Sequence, residues 1–313
     1  MIVNKNKVAI LLATYNGEKY IRKQLDSLAK QSYSEFTCFI HDDGSSDNTK
    51  KVVDDFISRD DRFVYVDGPS QHGAKGNFMY LLSNIESEYY LFCDQDDYWH
   101  TDKVKRLLSL LVKIENEKPS LCFCNLNVVN DEGKVISEDF MEYSGFYVKK
   151  LDYKNILFKN VAPGCVMILN KRLRNEAIKL KSLENIAMHD WWCIAVACTK
   201  GNCSFLNESL NDYYQHSTQQ IGAVRDDNSI KKVKNKLLRL FSNKEKAEKQ
   251  KWLEGVSNQA KEVCDLLLPD DPNYQELYNL AHLREHCKVT RMSYLLHYHW
   301  NYAGSLFWDL WWI

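Results

Sequence analysis

Tyr89-Tyr90-Leu91-Phe92-Cys93-Asp94-Gln95-Asp96-Asp97-Tyr98-Trp99 runs from an apolar stretch directly into three carboxylates. The apolar part reads as a buried strand, and its acidic end as the point where that strand leaves a sheet. Carboxylates crowded at such an exit repel one another unless a cation compensates them. Hard divalent ions such as Mg2+ or Mn2+ accept carboxylate oxygens and keep positions free for water or substrate phosphates. The motif therefore predicts a metal-assisted site for a phosphorylated substrate. Taken alone, it reads more readily as a turn or helix cap after a strand.

The residues before it supply the context. Val8 to Leu12 reads as a buried strand and Ile21 to Gln31 as a helix with Leu25 and Leu28 inward. Phe36 to Ile40 is a second strand, followed by Asp42-Asp43-Gly44-Ser45-Ser46-Asp47 and a helix through Ile57. Phe63 to Val66 is a third strand, Gly76-Asn77 leads into a helix through Ile85, and Tyr89 to Cys93 is the fourth strand. This alternation predicts an α/β fold with a mostly parallel central sheet and helices on both faces. Ligands of such sheets bind outside the carboxyl ends of the strands. Thr14-Tyr15-Asn16-Gly17, Asp42-Asp43-Gly44 and Asp94-Gln95-Asp96-Asp97 all fall there. Beyond residue 120 the rhythm loosens. Leu121 to Val129, Cys165 to Leu169, Ser204 to Leu206 and Asp212 to Tyr214 read as strands, and Leu151 to Lys159 as a helix. His189-Asp190 opens an apolar helix over Trp191 to Thr199.

Three loops at one sheet edge suit a nucleotide. Asp42 can accept from a base N–H or a ribose hydroxyl, while Thr14, Tyr15 and Asn16 pack against the base. The rival reading of the Asp42-Asp43-Gly44 stretch is a plain turn with a helix cap. No Walker pattern and no Gly-x-Gly-x-x-Gly occurs, so a glycine loop does not cradle the phosphates. A metal held by Asp96 would supply the missing positive charge.

The loop Ala13-Thr14-Tyr15-Asn16-Gly17, the loop Asp42 to Asp47 and the run Phe92 to Trp99 resemble, in order and separation, those of family 2 inverting glycosyltransferases with the GT-A fold. His189-Asp190-Trp191-Trp192, Tyr214-Gln215-His216 and Ile221-Gly222-Ala223 resemble the bacterial rhamnosyltransferase-like branch. The resemblance covers roughly residues 5 to 225. It implies a nucleotide-sugar donor on Thr14, Tyr15, Asn16, Asp42, Asp94 and Gln95, and Mn2+ or Mg2+ on Asp96 with help from His216. It implies Asp190 as the base for the acceptor hydroxyl, although Asp at that place is also a favoured helix cap. Trp191 and Trp192 would stack on the acceptor sugar or else sit in the core. The implied donor is dTDP-rhamnose, with a UDP-hexose next. The acceptor would be a saccharide or lipid-linked oligosaccharide of bacterial cell-surface polysaccharide. Tyr214 stands where the branch usually carries Arg, and Ser217-Thr218-Gln219 where it carries Gly and Asn. A nucleotidyltransferase is disfavoured by the missing glycine-rich loop, and an inactive sugar-nucleotide-binding scaffold by the intact Asp94, Asp96 and Asp190.

With 313 residues, 45% of them hydrophobic, the chain can bury a large core. A formal net charge of −1 argues against nucleic acid as a partner of the whole chain. Val8 to Ala13 is too short for a secretory leader. The ten cysteines are scattered, six of them in or beside apolar runs, and no Cys-x-x-Cys occurs. These features predict a reduced, cytoplasmic protein without a zinc site. A transferase domain over 1–225 is expected, followed by a helical, basic and aromatic-rich region over 226–313. Lys231 to Lys251 carries nine Lys or Arg against two Glu, and the last twenty residues are dense in Trp and Tyr. This region admits three readings: peripheral docking on the inner face of the cell membrane, packing on its own domain, or a homodimer contact. It is not a transmembrane helix, because Asn301, Gly304 and Asp309 interrupt the tail.

Overall fold

The computed structural model describes residues 1–146, 151–214, 243–298 and Trp300. Its strands in chain order are β1 (Ile2–Val3), β2 (Val8–Thr14), β3 (Phe36–Asp42), β4 (Phe63–Tyr65), β5 (Ile85–Glu86), β6 (Tyr89–Asp94) and β7 (Tyr98–Trp99). β8 (Ser120–Val129), β9 (Val135–Ser137), β10 (Met167–Asn170) and β11 (Asn202–Tyr214) follow. The helices are α1 (Ile21–Ala29), α2 (Thr49–Ile57), α3 (Ala74–Asn84), α4 (Lys103–Ile114), α5 (Phe140–Tyr143) and α6 (Tyr153–Ile156). After them come α7 (Lys171–Ala177), α8 (His189–Lys200), α9 (Asn243–Cys264), α10 (Tyr274–Ala281) and α11 (Lys288–Tyr298).

The main sheet has the order β4-β3-β2-β6-β10-β8-β11-β7, with β9 beside β8. β4, β3, β2 and β6 are mutually parallel, and Val8 to Leu12 and Leu91 to Cys93 are wholly buried, as continuous apolar runs in a doubly covered sheet should be. The chain leaves β2 toward β3 and β4, then returns through α3 to place β6 on the other side of β2. The direction of winding thus reverses between β2 and β6, and the crevice at such a reversal is where open α/β sheets hold ligands. Ala13 pairs with Asp94 across this boundary, so the first polar loop and the acidic motif leave the sheet side by side. β10 enters antiparallel between β6 and β8, and β11 runs parallel to β8.

Three local expectations are corrected. Gly164–Val166 forms a 3-10 turn after Pro163, so the strand begins at Met167 instead of Cys165. Ser204 to Leu206 and Asp212 to Tyr214 belong to one strand, whose register shifts around Ser209 conceal its continuity in the sequence. The helix expected over Leu151 to Lys159 is the single turn α6. Trp192 is fully buried, and its Nε1 donates to Ala177 O at 2.9 Å. It has no face to offer an acceptor sugar; it is a core tryptophan.

The C-terminal helices close over the back of α8. Glu262 accepts from Lys181 N at 2.9 Å and Asn185 Nδ2 at 2.6 Å, and Lys200 Nζ donates to Leu266 O at 2.6 Å. Glu276 accepts from Tyr153 Oη at 2.9 Å and from Trp300 Nε1 at 2.6 Å. Trp300, within the aromatic-rich last twenty residues, is thereby buried against Phe158 and Tyr298. The rest of that tail, His216, the Ile221-Gly222-Ala223 motif and most of the basic segment lie outside the described residues. Among the described residues no helix is long and apolar enough to cross a membrane.

Trp192→Phe removes a buried hydrogen bond and ring volume, and is expected to lower unfolding free energy by about 1–3 kcal/mol. Urea unfolding measures this. An unchanged midpoint would contradict the core placement.

Candidate active site

A cavity of about 1770 Å³ opens at the carboxyl edge of β2, β3 and β6. Thr14, Tyr15, Asn16, Asp94, Gln95, Asp96, Asp190 and Trp191 all line it, so residues expected to serve donor, metal and acceptor share one space. Asp42 does not line it. Its carboxylate accepts from Thr14 Oγ1 at 2.8 Å and from Ser45 N at 2.8 Å, fastening the end of β2 to the loop after β3. The next residue, Asp43, faces the cavity instead. Its carboxylate accepts from Ser70 Oγ at 2.8 Å, Gly73 N at 2.6 Å, His72 N at 3.1 Å and Gln71 N. Burial alone would raise its pKa, but these donors outweigh burial and hold the carboxyl below its ordinary range. Asp43 thus organises a wall of the cavity, at Ser70 to Gly73, that the sequence reading did not single out.

The loop after β2 is the hub of this edge. Asn16 N donates to Ser45 Oγ at 2.8 Å, while Asn16 Oδ1 accepts from Ser46 N at 2.8 Å. Gly17 N donates to Thr49 Oγ1 at 2.7 Å. On the other side, Gln95 Oε1 accepts from Tyr15 N and Gln95 Nε2 donates to Tyr15 O, both at 2.9 Å. Both polar atoms of the Gln95 amide are therefore engaged by the Tyr15 backbone, while the residue also lines the cavity.

The acidic motif divides into two parts. Asp94 and Asp96 line the cavity, whereas Asp97 is buried and accepts from Asn211 Nδ2 at 3.0 Å. Behind it lies Lys103, wholly buried, with Nζ donating to Cys165 O at 2.6 Å and to Asn211 Oδ1, and 3.8 Å from the Trp99 ring centroid. Burial, followed by the charges of Asp97, Asp96 and Asp190, pushes the Asp94 pKa well up. Burial and Asp96 push Asp97 to about 7, against the pull of Asn211, Lys103 and Cys165. The carboxylates therefore repel one another across a space that Lys103 only partly compensates, which is the condition a bound cation relieves. Asp94, Asp97 and Cys165 offer ligand atoms within 4.8 Å of one another. Cys165 suits Mg2+ or Mn2+ poorly, because its burial keeps it a thiol and these ions prefer oxygen. Asp94 and Asp96 both line the cavity and carry the carboxylate oxygens that such ions prefer.

Across the cavity, α8 begins after Met188, so Asp190 lies in the first turn instead of at the cap position. Its carboxylate accepts from Trp191 N at 2.6 Å and from Gly164 N at 2.9 Å. Burial raises its pKa to about 6, against hydrogen bonds from Trp191, Gly164 and Asn160. A carboxylate of that pKa is ionised at neutral pH yet basic enough to take a proton. Gly164 is needed for this approach: a Cβ there would stand 2.7 Å from His189 Nε2. His189 stacks on Phe78 with centroids 4.2 Å apart, and burial lowers its pKa to about 3, so it is a neutral ring beside Asp190. Trp191 lines the cavity while its Nε1 donates to Ile156 O. Asn160, Gly164, His189 and Lys103 were not singled out as site residues, although His189 stands in the His189-Asp190-Trp191-Trp192 motif.

A nine-stranded, mostly parallel sheet with carboxylates at its winding reversal defines a nucleotide-sugar transferase fold of the GT-A type. The glycosyl transferase family 2 model matches residues 9–175, and the chain belongs to that family. It is 30% identical over 245 residues to the dTDP-rhamnosyl transferase RfbG of Shigella flexneri, covering 74% of this chain and 80% of that protein. It is 28% identical over 172 residues to the UDP-Glc:alpha-D-GlcNAc-diphosphoundecaprenol beta-1,3-glucosyltransferase WfgD of Escherichia coli, covering 54% and 62%. Among solved structures, S. aureus TarS 1-349 in complex with UDP-GlcNAc superposes with a TM-score of 0.56 at 16% identity, over 93% of this chain and 92% of that one. The mannosyltransferase PcManGT of Pyrobaculum calidifontis, in complex with GDP-Man and Mn2+, gives 0.55 at 13% identity, over 96% and 76%.

The acidic cluster carries a pH signature. With Asp97 at about 7 when folded and near its ordinary 3.8 when unfolded, the folded state holds a proton that the unfolded state has released. The metal-free protein should therefore lose stability as pH rises from about 4 to about 7. Asp97→Asn should flatten that decline in thermal unfolding measured across pH 5 to 8 in EDTA. Parallel curves for the two proteins would contradict the assignment.

Proposed function

We propose that the cavity carries out inverting transfer of a sugar from a nucleotide-diphosphate donor to a hydroxyl of a saccharide acceptor. The observation that carries this reading is the placement of Asp190 in the same cavity as Asp94, Asp96 and the Tyr15–Asn16 loop. The nucleoside lies against Thr14, Tyr15 and Asn16, with Asp43 holding the opposite wall. Asp94 and Asp96 would hold Mn2+ or Mg2+, which supplies neutralising charge for the departing diphosphate. Asp190 takes the proton of the acceptor hydroxyl as its oxygen attacks the anomeric carbon. The bond from that carbon to the diphosphate breaks on the opposite face, so the configuration inverts. Gly164 and Trp191 amides fix the carboxylate's orientation, and neutral His189 keeps water away from its flank.

The proposed donor is dTDP-rhamnose, supported by the similarity to RfbG across most of both chains; a UDP-hexose is second, supported by WfgD. The acceptor is a saccharide or lipid-linked oligosaccharide of bacterial surface polysaccharide, with Trp191 as its stacking platform. The region over 226–313 serves as an appendage to the transferase domain of 1–225, and its basic and aromatic residues suit the inner membrane face.

Asp190→Asn should leave donor binding unchanged and lower kcat by roughly 10²–10⁴-fold. In the wild type, kcat/KM should rise with pH and level off above about 6, as Asp190 loses its proton. Near-normal turnover in the folded variant would remove Asp190 from catalysis. Asp96→Asn should abolish the difference in nucleotide affinity between Mn2+ and EDTA; equal affinities in the wild type would defeat the metal role.

A further inference from the structure

We propose that Gln95 is a positioning residue that couples cation binding at Asp94 and Asp96 to nucleoside binding at Tyr15. The inference rests on the donor-and-cation reading above and concerns how its two halves communicate. Gln95 lies between the two carboxylates in sequence, yet its side chain spans to a different loop. There it satisfies both backbone polar groups of one residue, accepting from Tyr15 N and donating to Tyr15 O at 2.9 Å each, as a neighbouring strand would. Tyr15 lies past the last residue of β2, where strand pairing has ended. Gln95 thus extends the β2–β6 contact by side chain where the backbone no longer provides it.

The opposing loop is shaped to admit it. The three heavy atoms nearest to a Cβ built on Gly17 all belong to the Gln95 amide, the closest at 2.1 Å. Any side chain at position 17 would occupy the Gln95 amide's place. Tyr15 is 55% exposed and lines the cavity, so the residue that Gln95 holds is one a nucleoside would meet.

A cation on Asp94 and Asp96 fixes the backbone on both sides of Gln95. The amide is then presented to Tyr15 with less conformational freedom left to lose, and a nucleoside resting on Tyr15 fixes the same contact from the other end. Each ligand therefore lowers the ordering cost of the other, and the coupling is reciprocal.

Two substitutions on different loops break this contact. Gln95→Met keeps the length and loses both hydrogen bonds. Gly17→Ala displaces the Gln95 amide without touching position 95, and the fold tolerates it because only the far end of a flexible side chain must move. UDP and dTDP are titrated calorimetrically into the full chain and both variants, in EDTA and in Mn2+. The wild type should bind more tightly in Mn2+, and both variants should lose roughly five- to tenfold of that enhancement, beyond any loss of affinity they show in EDTA. Full enhancement retained in both variants overturns the coupling role and leaves the metal reading standing. An equal loss in EDTA and Mn2+ also overturns it, because Gln95 would then serve the nucleoside pocket alone. No enhancement in the wild type overturns the metal reading itself, and the coupling with it.

Discussion

Mutual repulsion among Asp94, Asp96, Asp97 and Asp190 is the interaction to which the rest of this structure answers. Burial and neighbouring negative charge together drive the pKa of Asp94 and Asp97 upward. Isolated, such a cluster would destabilise the sheet edge that carries it. Among the described residues, the buried Lys103, held by Cys165 O and Asn211 Oδ1, stands behind the cluster. Lys103 offsets part of the negative charge from the protein side, and Lys19 and Lys159 are among the residues that line the cavity. In the proposed function, the remaining repulsion is relieved by a cation bound together with a diphosphate.

Such a site requires rigid walls, and the loops are tied to one another to provide them. Asp42 bonds Thr14 and Ser45, Asn16 bonds Ser45 and Ser46, Asp43 gathers the amides of Gln71 to Gly73, and Gln95 clasps Tyr15. Each of these segments follows a strand or leads into a helix, so the rigidity of the sheet passes directly to the cavity wall. α8 supplies the opposite wall. Its buried apolar body, with Trp192 in the core, anchors Asp190 and Trp191 at its first turn. α9 and α10 bind the back of this helix layer through Glu262 and Glu276.

The parallel sheet was legible because β2, β3 and β6 are apolar runs that end in polar loops, a pattern that length and burial both enforce. The converging loops followed from it, and Asp94, Asp96 and Asp190 are all found in the cavity. What escaped was decided by orientation. Adjacent residues at a strand end point to opposite sides, so a sequence cannot say whether Asp42 or Asp43 faces the ligand. Lys103 reads as a surface charge at the start of a helix; only the fold brings it under Asp97. Gln95 looks like a ligand contact, and its commitment to Tyr15 depends on the missing side chain of Gly17. Trp191 and Trp192 are indistinguishable by type, and the helix rotation alone separates a cavity residue from a core one.

The central claim is that the open side of the carboxylate cluster is completed by a divalent cation and a nucleotide diphosphate. Crystals grown with Mn2+ and UDP or dTDP, measured at a wavelength where manganese scatters anomalously, test it directly. The account predicts one anomalous peak bonded to carboxylate oxygens of Asp94 and Asp96, on the cavity side, touching the diphosphate. A nucleotide bound with no manganese there, or manganese seated on Asp97 and Cys165 away from the diphosphate, would contradict it.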